Sequence, residues 1–436
     1  MGNTRRVRVR IQSCVRRAMR RNTALRCAAV LALAATLTAA RVPPGAAQGP
    51  AVEALAPVSV TGGPATVDTL RLAITTSARL ALGFQPSAVV RVAQTQPALV
   101  PLDASAAETV LAGLTVHAPG MPPATRLVRV ALTNAIIPWN DAEILLVSNS
   151  PETIPFGKVL YTGALSSGQT VRLLFHHQNG SKAQHMFITV TLSNPARDAV
   201  SLWVQGAAGA PSQEEVTPGH DAARTFLDEY AHHAGFLVRL PGNTTVPLFV
   251  EDLPPLGITS GIAQFGLLDG DRVNVQVAAR LADEGEPPTM SFAPDFDRVH
   301  QRGAFVRPQI GRTMTYSVGG PPVMMVLAAD ADLLHEGQTG ALLQGNYGVV
   351  YRFNVDVVNA TSSPAAAALV LHADGGQARG TFVIGEQVVE SQLVQPNAPQ
   401  VVATFPLRPQ TRRTIRILTV PESGSNYPVR LTLGAP

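Results

Sequence analysis

The chain has 436 residues, with 34 basic against 30 acidic side chains and a formal net charge of +4. That surplus sits in the first 47 residues, which hold ten arginines and no acid; the remainder has 24 basic and 30 acidic groups, a net charge of −6. Beyond residue 47 there is therefore no Lys/Arg excess for a nucleic-acid surface. There is also no cysteine, because Cys14 and Cys27 both lie in the lead, which excludes disulfide scaffolds, thiol nucleophiles and Cys-ligated metals.

Residues 1–47 read as a signal peptide. An arginine-rich lead precedes an apolar run, Ala28–Ala40, of 13 residues. A membrane span needs about 20. Gly45-Ala46-Ala47 supplies the small residues of a cleavage site. Arg16-Arg17 lacks the apolar residues that follow a twin-arginine pair. No second long apolar run follows, so the expectation is a bacterial exported protein (periplasmic, cell-surface or extracellular) with no transmembrane segment in the mature chain.

Residues 48–125 form an Ala/Val/Pro-rich N-terminal region, with short strands expected near Leu70–Ile74 and Leu80–Phe84. A helix is expected to start near Ser105, which has capping-box spacing to Glu108. Residues 126–280 carry alternating or continuous apolar runs of strand length, among them Arg126–Leu132, Glu143–Ser148, Thr170–Phe175, Met186–Leu192, Ala199–Val204 and Arg272–Ala278. Gly, Asn and Asp turns separate many of them, the pattern of an antiparallel β-sandwich. If Asn179-Gly180 is a two-residue hairpin turn, Phe175 faces Gln184 and Leu173 faces Met186. Val171, Leu173 and Phe175 then share a face with Met186, Ile188 and Val190.

The one convincing helix spans about 218–234. Thr217 is its cap, Pro218 its first helical residue and Gly235 its left-handed stop. Its apolar stripe is Ala223, Phe226, Leu227 and Tyr230. Residues 281–310, rich in proline and acids, read as a linker around Phe292, Phe296 and Phe305. Residues 311–436 return to strand patterning as a C-terminal β-sandwich domain. The expected fold is mainly β: two or three antiparallel, immunoglobulin-like or jelly-roll-like β-sandwich domains with one short amphipathic helix.

The segments Gly345-Asn346-Tyr347-Gly348, Gly424-Ser425-Asn426-Tyr427 and His176-His177-Gln178-Asn179-Gly180 resemble parts of exported bacterial multi-domain β-sandwich proteins to which no activity is assigned. The resemblance covers about the last two thirds of the chain. It implies architecture and export, and carries no site residues.

Histidines are the most suggestive chemistry. In the hairpin register His176 and His185 are diagonal neighbours on one face, within reach of a common zinc or copper ion. Such an ion needs a third and usually a fourth ligand, and an exposed polar hairpin tip explains the pair more plainly. On the helix, Asp228/His232 and Glu229/His233 are each four apart. Histidines at a helix C-terminus answering its dipole are the plainer account. Asp269/Asp271, Asp295/Asp297 and Asp330/Asp332 lack the ligand spacing of a calcium loop. Glu214-Glu215 and Asp228-Glu229 read as solvated charges.

Nucleophile-elbow, zincin, P-loop and dinucleotide signatures are absent from the sequence. Trp139, Tyr347 and Tyr427 sit in loop-like segments, where an aromatic can stack on a sugar or anchor a peptide.

The leading expectation is a non-enzymatic exported binding or scaffolding protein without a cofactor, its partner a protein or glycan at the cell envelope and not nucleic acid. The alternative is an exported zinc or copper protein using His176, His185, His232 and His233. A secreted hydrolase with dispersed carboxylates is the third reading.

Overall fold

The computed structural model describes residues 52–283, 297 and 299–436. The expected signal peptide and most of the expected linker, Phe292 and Phe296 included, lie outside the described residues. The fold is mainly β, built as β-sandwiches. Among the described residues the strands form four sheets, of 12, 4, 5 and 4 strands. No helix among them is long and apolar enough to cross a membrane.

The largest sheet runs from Arg302–Val306 through Ile144–Ser148, Thr170–Asn179, Ile258–Asp269, Val200–Ala208 and Gly235–Leu240. It continues through Val58–Thr61, Ala124–Asn134 and Ala107–His117 to Val89–Gln96, so the N-terminal strands extend the same sheet. One face shares a core with the four-stranded sheet of Lys158–Ser166, Met186–Asn194, Thr244–Leu253 and Arg272–Leu281. The five- and four-stranded sheets of residues 309–434 enclose a second core. Most pairings are antiparallel, but five among the described residues are parallel, including Ile144–Ser148 with Thr170–Asn179 and Gln309–Ser317 with Val350–Asn359.

Strand Thr170–Asn179 joins these two bodies. Its period of two sends Val171, Leu173 and Phe175 into the first core. The alternate residues Arg172, Leu174 and His176 point to the other face, where Leu174 enters the second cluster with Leu145, Ile262 and the helix residues Phe226 and Tyr230. Both faces of this strand are buried.

Asn179-Gly180 is not a hairpin turn. The chain crosses there from the 12-stranded sheet to the four-stranded one, so Val171, Leu173 and Phe175 meet Met186, Ile188 and Val190 across a core. The reason is the Asn179 side chain. Its Nδ2 donates into the carbonyls of Gln184, Leu253 and Pro254 at 2.8–3.3 Å, and its Oδ1 accepts from Ser181 N. Asn194 repeats the device with Asp198, Leu240, Pro241 and Ala196, and Asn359 with Ser363, Leu407, Arg408 and Thr361. Each buried asparagine stands where a strand ends and the chain changes sheet.

Among the described residues two α-helices form, only one of them where a helix was expected. Helix α1, Val67–Leu82, replaces the strands expected at Leu70–Ile74 and Leu80–Phe84. Thr66 caps it by accepting from Thr69 N, Gly83 ends it in the left-handed region, and Leu70, Ala73, Ile74 and Ala78 make its buried stripe. Helix α2, Val216–Ala231, carries the expected stripe but starts and ends earlier than expected. Its left-handed residue is His233, while Gly235 opens the next strand. The helix expected at Ser105 is a turn, Ser105 having φ +65°, that leads into strand Ala107–His117.

Buried titratable side chains tie α2 to both bodies. Glu229, read as solvated from sequence, is buried and accepts from Thr69 Oγ1 of α1 (2.8 Å) and from Gly206 N (2.9 Å). His220 is buried between two carboxylates of the second sandwich, with Nδ1 2.8 Å from Glu422 and Nε2 2.8 Å from Glu390. Burial alone favours the neutral ring, and Arg379 opposes charge as well. The hydrogen bonds to Glu422 and Glu390 outweigh both and raise the His220 pKa above its ordinary 6.5.

Asn359→Ala is expected to cost about 2–4 kcal/mol in urea unfolding, because three carbonyls and an N–H lose their partner; an unchanged midpoint would refute the corner's role. A raised folded-state pKa means that the His220 contribution is complete below pH 6.5 and is lost as pH rises through the raised value. The stability gap between wild type and His220→Asn is therefore expected to narrow as pH climbs from 6.5, and a pH-independent gap would contradict the assignment.

Candidate functional site

The exposed end of the seam opens into a polar cleft of about 290 Å³. His176 enters it from strand Thr170–Asn179, two residues beyond Leu174 on the seam face. Glu152 comes from the loop after Ile144–Ser148, where its carbonyl accepts from Gln178 N (2.8 Å). Glu215 is the residue that starts α2. A ring nitrogen of His176 and one carboxylate oxygen each of Glu152 and Glu215 lie within 4.8 Å of one another. Among the described residues this is the one such trio of His, Cys, Asp or Glu.

The cleft has unmet hydrogen-bonding capacity. Nδ1 of His176, Oδ1 of Asn149 and Oγ of Ser423 are buried and have no partner among the described residues. Native interiors rarely leave such atoms unsatisfied. Burial, followed by the neighbouring His300, pushes the His176 pKa down to about 4, so the ring is neutral and retains a lone pair at pH 7. Burial raises the Glu152 pKa against the opposing pull of His300, with Glu215 and Asp297 adding to the rise. His177, next in the chain, points the other way: Nδ1 meets Pro151 O (3.1 Å) and Nε2 meets Ser148 Oγ (2.9 Å).

Two further groups shape the cleft. His300 Nε2 lies 2.9 Å from Glu152 Oε2, and its Nδ1 lies 2.7 Å from Asp297 Oδ2. Burial works against charge on Asp297, but the backbone N–H groups of His300, Glu152 and Val299 and the His300 ring hold its pKa well below the carboxylate range. The opposite wall is the loop 421–427. Tyr347 and Tyr427 meet edge to face, 5.6 Å between centroids, with Tyr347 Oη donating to Ser425 O and Tyr427 Oη accepting from Glu422 N. This loop presses on the first turn of α2: a Cβ at Gly219 would lie 1.9 Å from Ser423 O, and one at Gly424 2.2 Å from Glu215 O.

The structure therefore gathers His176, Tyr347 and Tyr427 around one cleft and disperses the other candidates. His185 does not meet His176, because the two leave the Asn179 corner in different sheets; its Nδ1 bonds Asp252 Oδ1 at 2.7 Å. His232, His233 and Trp139 share a second cavity of about 510 Å³. There His232 Nδ1 is bound to Asp228 O (2.8 Å), and His233 stacks on the Trp139 ring at 4.3 Å, covering a face that a sugar would need. Glu215 reads from sequence as a solvated charge, and Glu152 and His300 carry no signal, because the three stand 63 and 85 residues apart and share no motif.

No protein-family model matches the chain, and no curated protein sequence matches it. Among solved structures it is similar to the M60 catalytic domain with the CBM51-1 and CBM51-2 domains from Clostridium perfringens ZmpB, at 8% identity over 80% of this chain and 43% of that one, TM-score 0.15. It is similar also to the CBM22-1–CBM22-2 tandem domain of Paenibacillus barcinonensis Xyn10C, at 9% identity over 65% and 91%, TM-score 0.15. Lac15 from a marine microbial metagenome shares 12% identity over 76% and 72%, TM-score 0.13. The chain spans less than half the length of the first of these. Likenesses this distant carry no statement about what the chain binds or does.

Gly→Ala inside a helix usually stabilises by about 1 kcal/mol. Gly219→Ala is expected to do the reverse, destabilising by about 1–3 kcal/mol in urea unfolding as the 421–427 loop is forced away; a stabilised variant would show that the contact is slack.

Proposed function

We propose that this chain is an exported binding protein of the bacterial cell envelope whose seam cleft holds one zinc ion between Glu152, His176 and Glu215. The observation that carries this reading is His176, whose buried Nδ1 has no partner among the described residues and which sets one ring nitrogen within 4.8 Å of a carboxylate oxygen each of Glu152 and Glu215. A neutral imidazole with two carboxylates matches zinc, whose ligands bind at about 2.0–2.2 Å. Copper(I) favours sulfur ligands, which this trio lacks. Side-chain movements bring the three donors to a common ion. The polar cleft beside the ion, walled by Tyr347 and Tyr427, is the surface offered to a protein or glycan partner.

Purified protein is expected to bind one equivalent of zinc. Zinc at 100 times its Kd should add about 2.7 kcal/mol of stability, removed by chelator. His176→Ala should weaken binding by more than about 100-fold, beyond what loss of an outer partner does. Elemental analysis and melts with and without chelator check this; no bound metal together with an unchanged melt sinks the reading.

A further inference from the structure

We infer that His300 is the fourth zinc ligand, positioned by Asp297, so that the ion is coordinately closed and acts as a brace between chain segments, with no position left open for substrate. This rests on the zinc reading above and adds to it the coordination number and the role of the metal.

The geometry starts from Glu152. Donors around one tetrahedral zinc ion stand about 3.3 Å apart, as bonds of about 2.0–2.1 Å require. His300 Nε2 lies 2.9 Å from Glu152 Oε2, close to that spacing and on the cleft side, since both residues line the cleft. In the absence of an ion the two are hydrogen-bond partners. Before the ion binds, only Glu152, His176 and Glu215 lie within 4.8 Å of one another, so His300 joins them by swinging its ring, already against Glu152, toward His176 and Glu215.

Asp297 prepares His300 for this. Its carboxylate can only accept, so the His300 Nδ1 2.7 Å away is an N–H, and Nε2 is the nitrogen that would bind the ion. A carboxylate behind a metal-bound histidine is the usual means of holding its ring and tautomer. Asp297 is itself fixed by the N–H groups of Glu152 (3.0 Å), Val299 (2.9 Å) and His300 (2.8 Å) and by Ser150 Oγ (3.3 Å). One carboxylate thus positions two ligands: His300 through its ring and Glu152 through its backbone.

The resulting set, Glu152, His176, Glu215 and His300, has two nitrogens and two oxygens. Structural zinc sites are closed with four protein ligands, whereas catalytic ones keep a position for water. These four come from the loop after Ile144–Ser148, the seam strand, the start of α2 and the segment leading into strand Arg302–Val306. The ion would staple those four segments at the mouth of the seam.

The test is cobalt(II) substitution and zinc affinity on the full protein. Wild type is expected to give the intense visible spectrum of tetrahedral cobalt, unchanged by added azide. His300→Ala should bind zinc at least about 10-fold more weakly and give a cobalt spectrum that azide alters, because a position has opened. Asp297→Asn should weaken zinc by about 10–100-fold while the spectrum stays tetrahedral, which a purely structural role for Asp297 would not produce. His300→Ala with unchanged affinity and spectrum overturns the fourth ligand and leaves the three-residue site standing. Wild type that takes up neither zinc nor cobalt overturns both.

Discussion

A guanidinium removed from water must have its hydrogen bonds replaced, and Arg172 lies in the middle of a strand that is buried on both faces. Its Nε and Nη2 donate to Gln264 Oε1 at 3.2 and 2.9 Å, and Nη1 donates to Pro308 O (3.2 Å) and Gly348 O (2.9 Å). The rings of Phe226 and Tyr230 lie 5.3 and 5.6 Å from its Cζ, where their faces attract the cation. Burial still depresses its pKa. Partners for this single charge come from the first sandwich, from α2 and from the chain that builds the second sandwich. Separating those parts would strip the charge of Pro308 O, Gly348 O and the two rings and leave it only Gln264 of its own sheet, so the seam is held as a unit.

Around Arg172 the polar groups are connected. Gln264 donates to Asn140 O (3.0 Å), Tyr230 Oη donates to Asp141, and Arg352 of the second sandwich reaches both Asp141 (2.7 Å) and Tyr230. Burial disfavours charge on Asp141, yet the hydrogen bonds from Arg352 and Tyr230 hold its pKa low. Glu229 and His220 extend the same logic along α2, one facing α1 and the other the second sandwich. The candidate zinc site inherits its rigidity from this arrangement. His176 sits on the Arg172 face of the same strand, and α2, which brings Glu215, is fixed at both ends.

Where the sequence misled, the cause was local resemblance between different physical solutions. Asn179-Gly180 has the composition of a tight turn, but the asparagine side chain is spent on carbonyls of another strand, and the same holds at Asn194 and Asn359. Helix α1 contains Thr75-Thr76 and Val67, which lower helix propensity, and its short apolar runs resemble strands; the Thr66 cap and Gly83 stop mark its ends in the structure. Glu229 looked like a solvated helix charge because nothing in a single sequence shows that Thr69 and Gly206 stand ready to receive it.

What the sequence determined by itself was the periodicity: strands of period two, the α2 stripe of Ala223, Phe226, Leu227 and Tyr230, and hence a mainly β architecture of sandwiches. Periodicity states which side chains share a face; it is silent on what that face opposes. Only the tertiary structure decided that the Arg172–Leu174–His176 face looks onto α2 and a second sandwich. It also placed Glu152 and Glu215, and not His185, beside His176. The donors of the site come from residues 152 to 300 and its opposite wall from residues 347 and 423–427. Sheet crossings at buried asparagines bring them together, and no local spacing encodes that meeting.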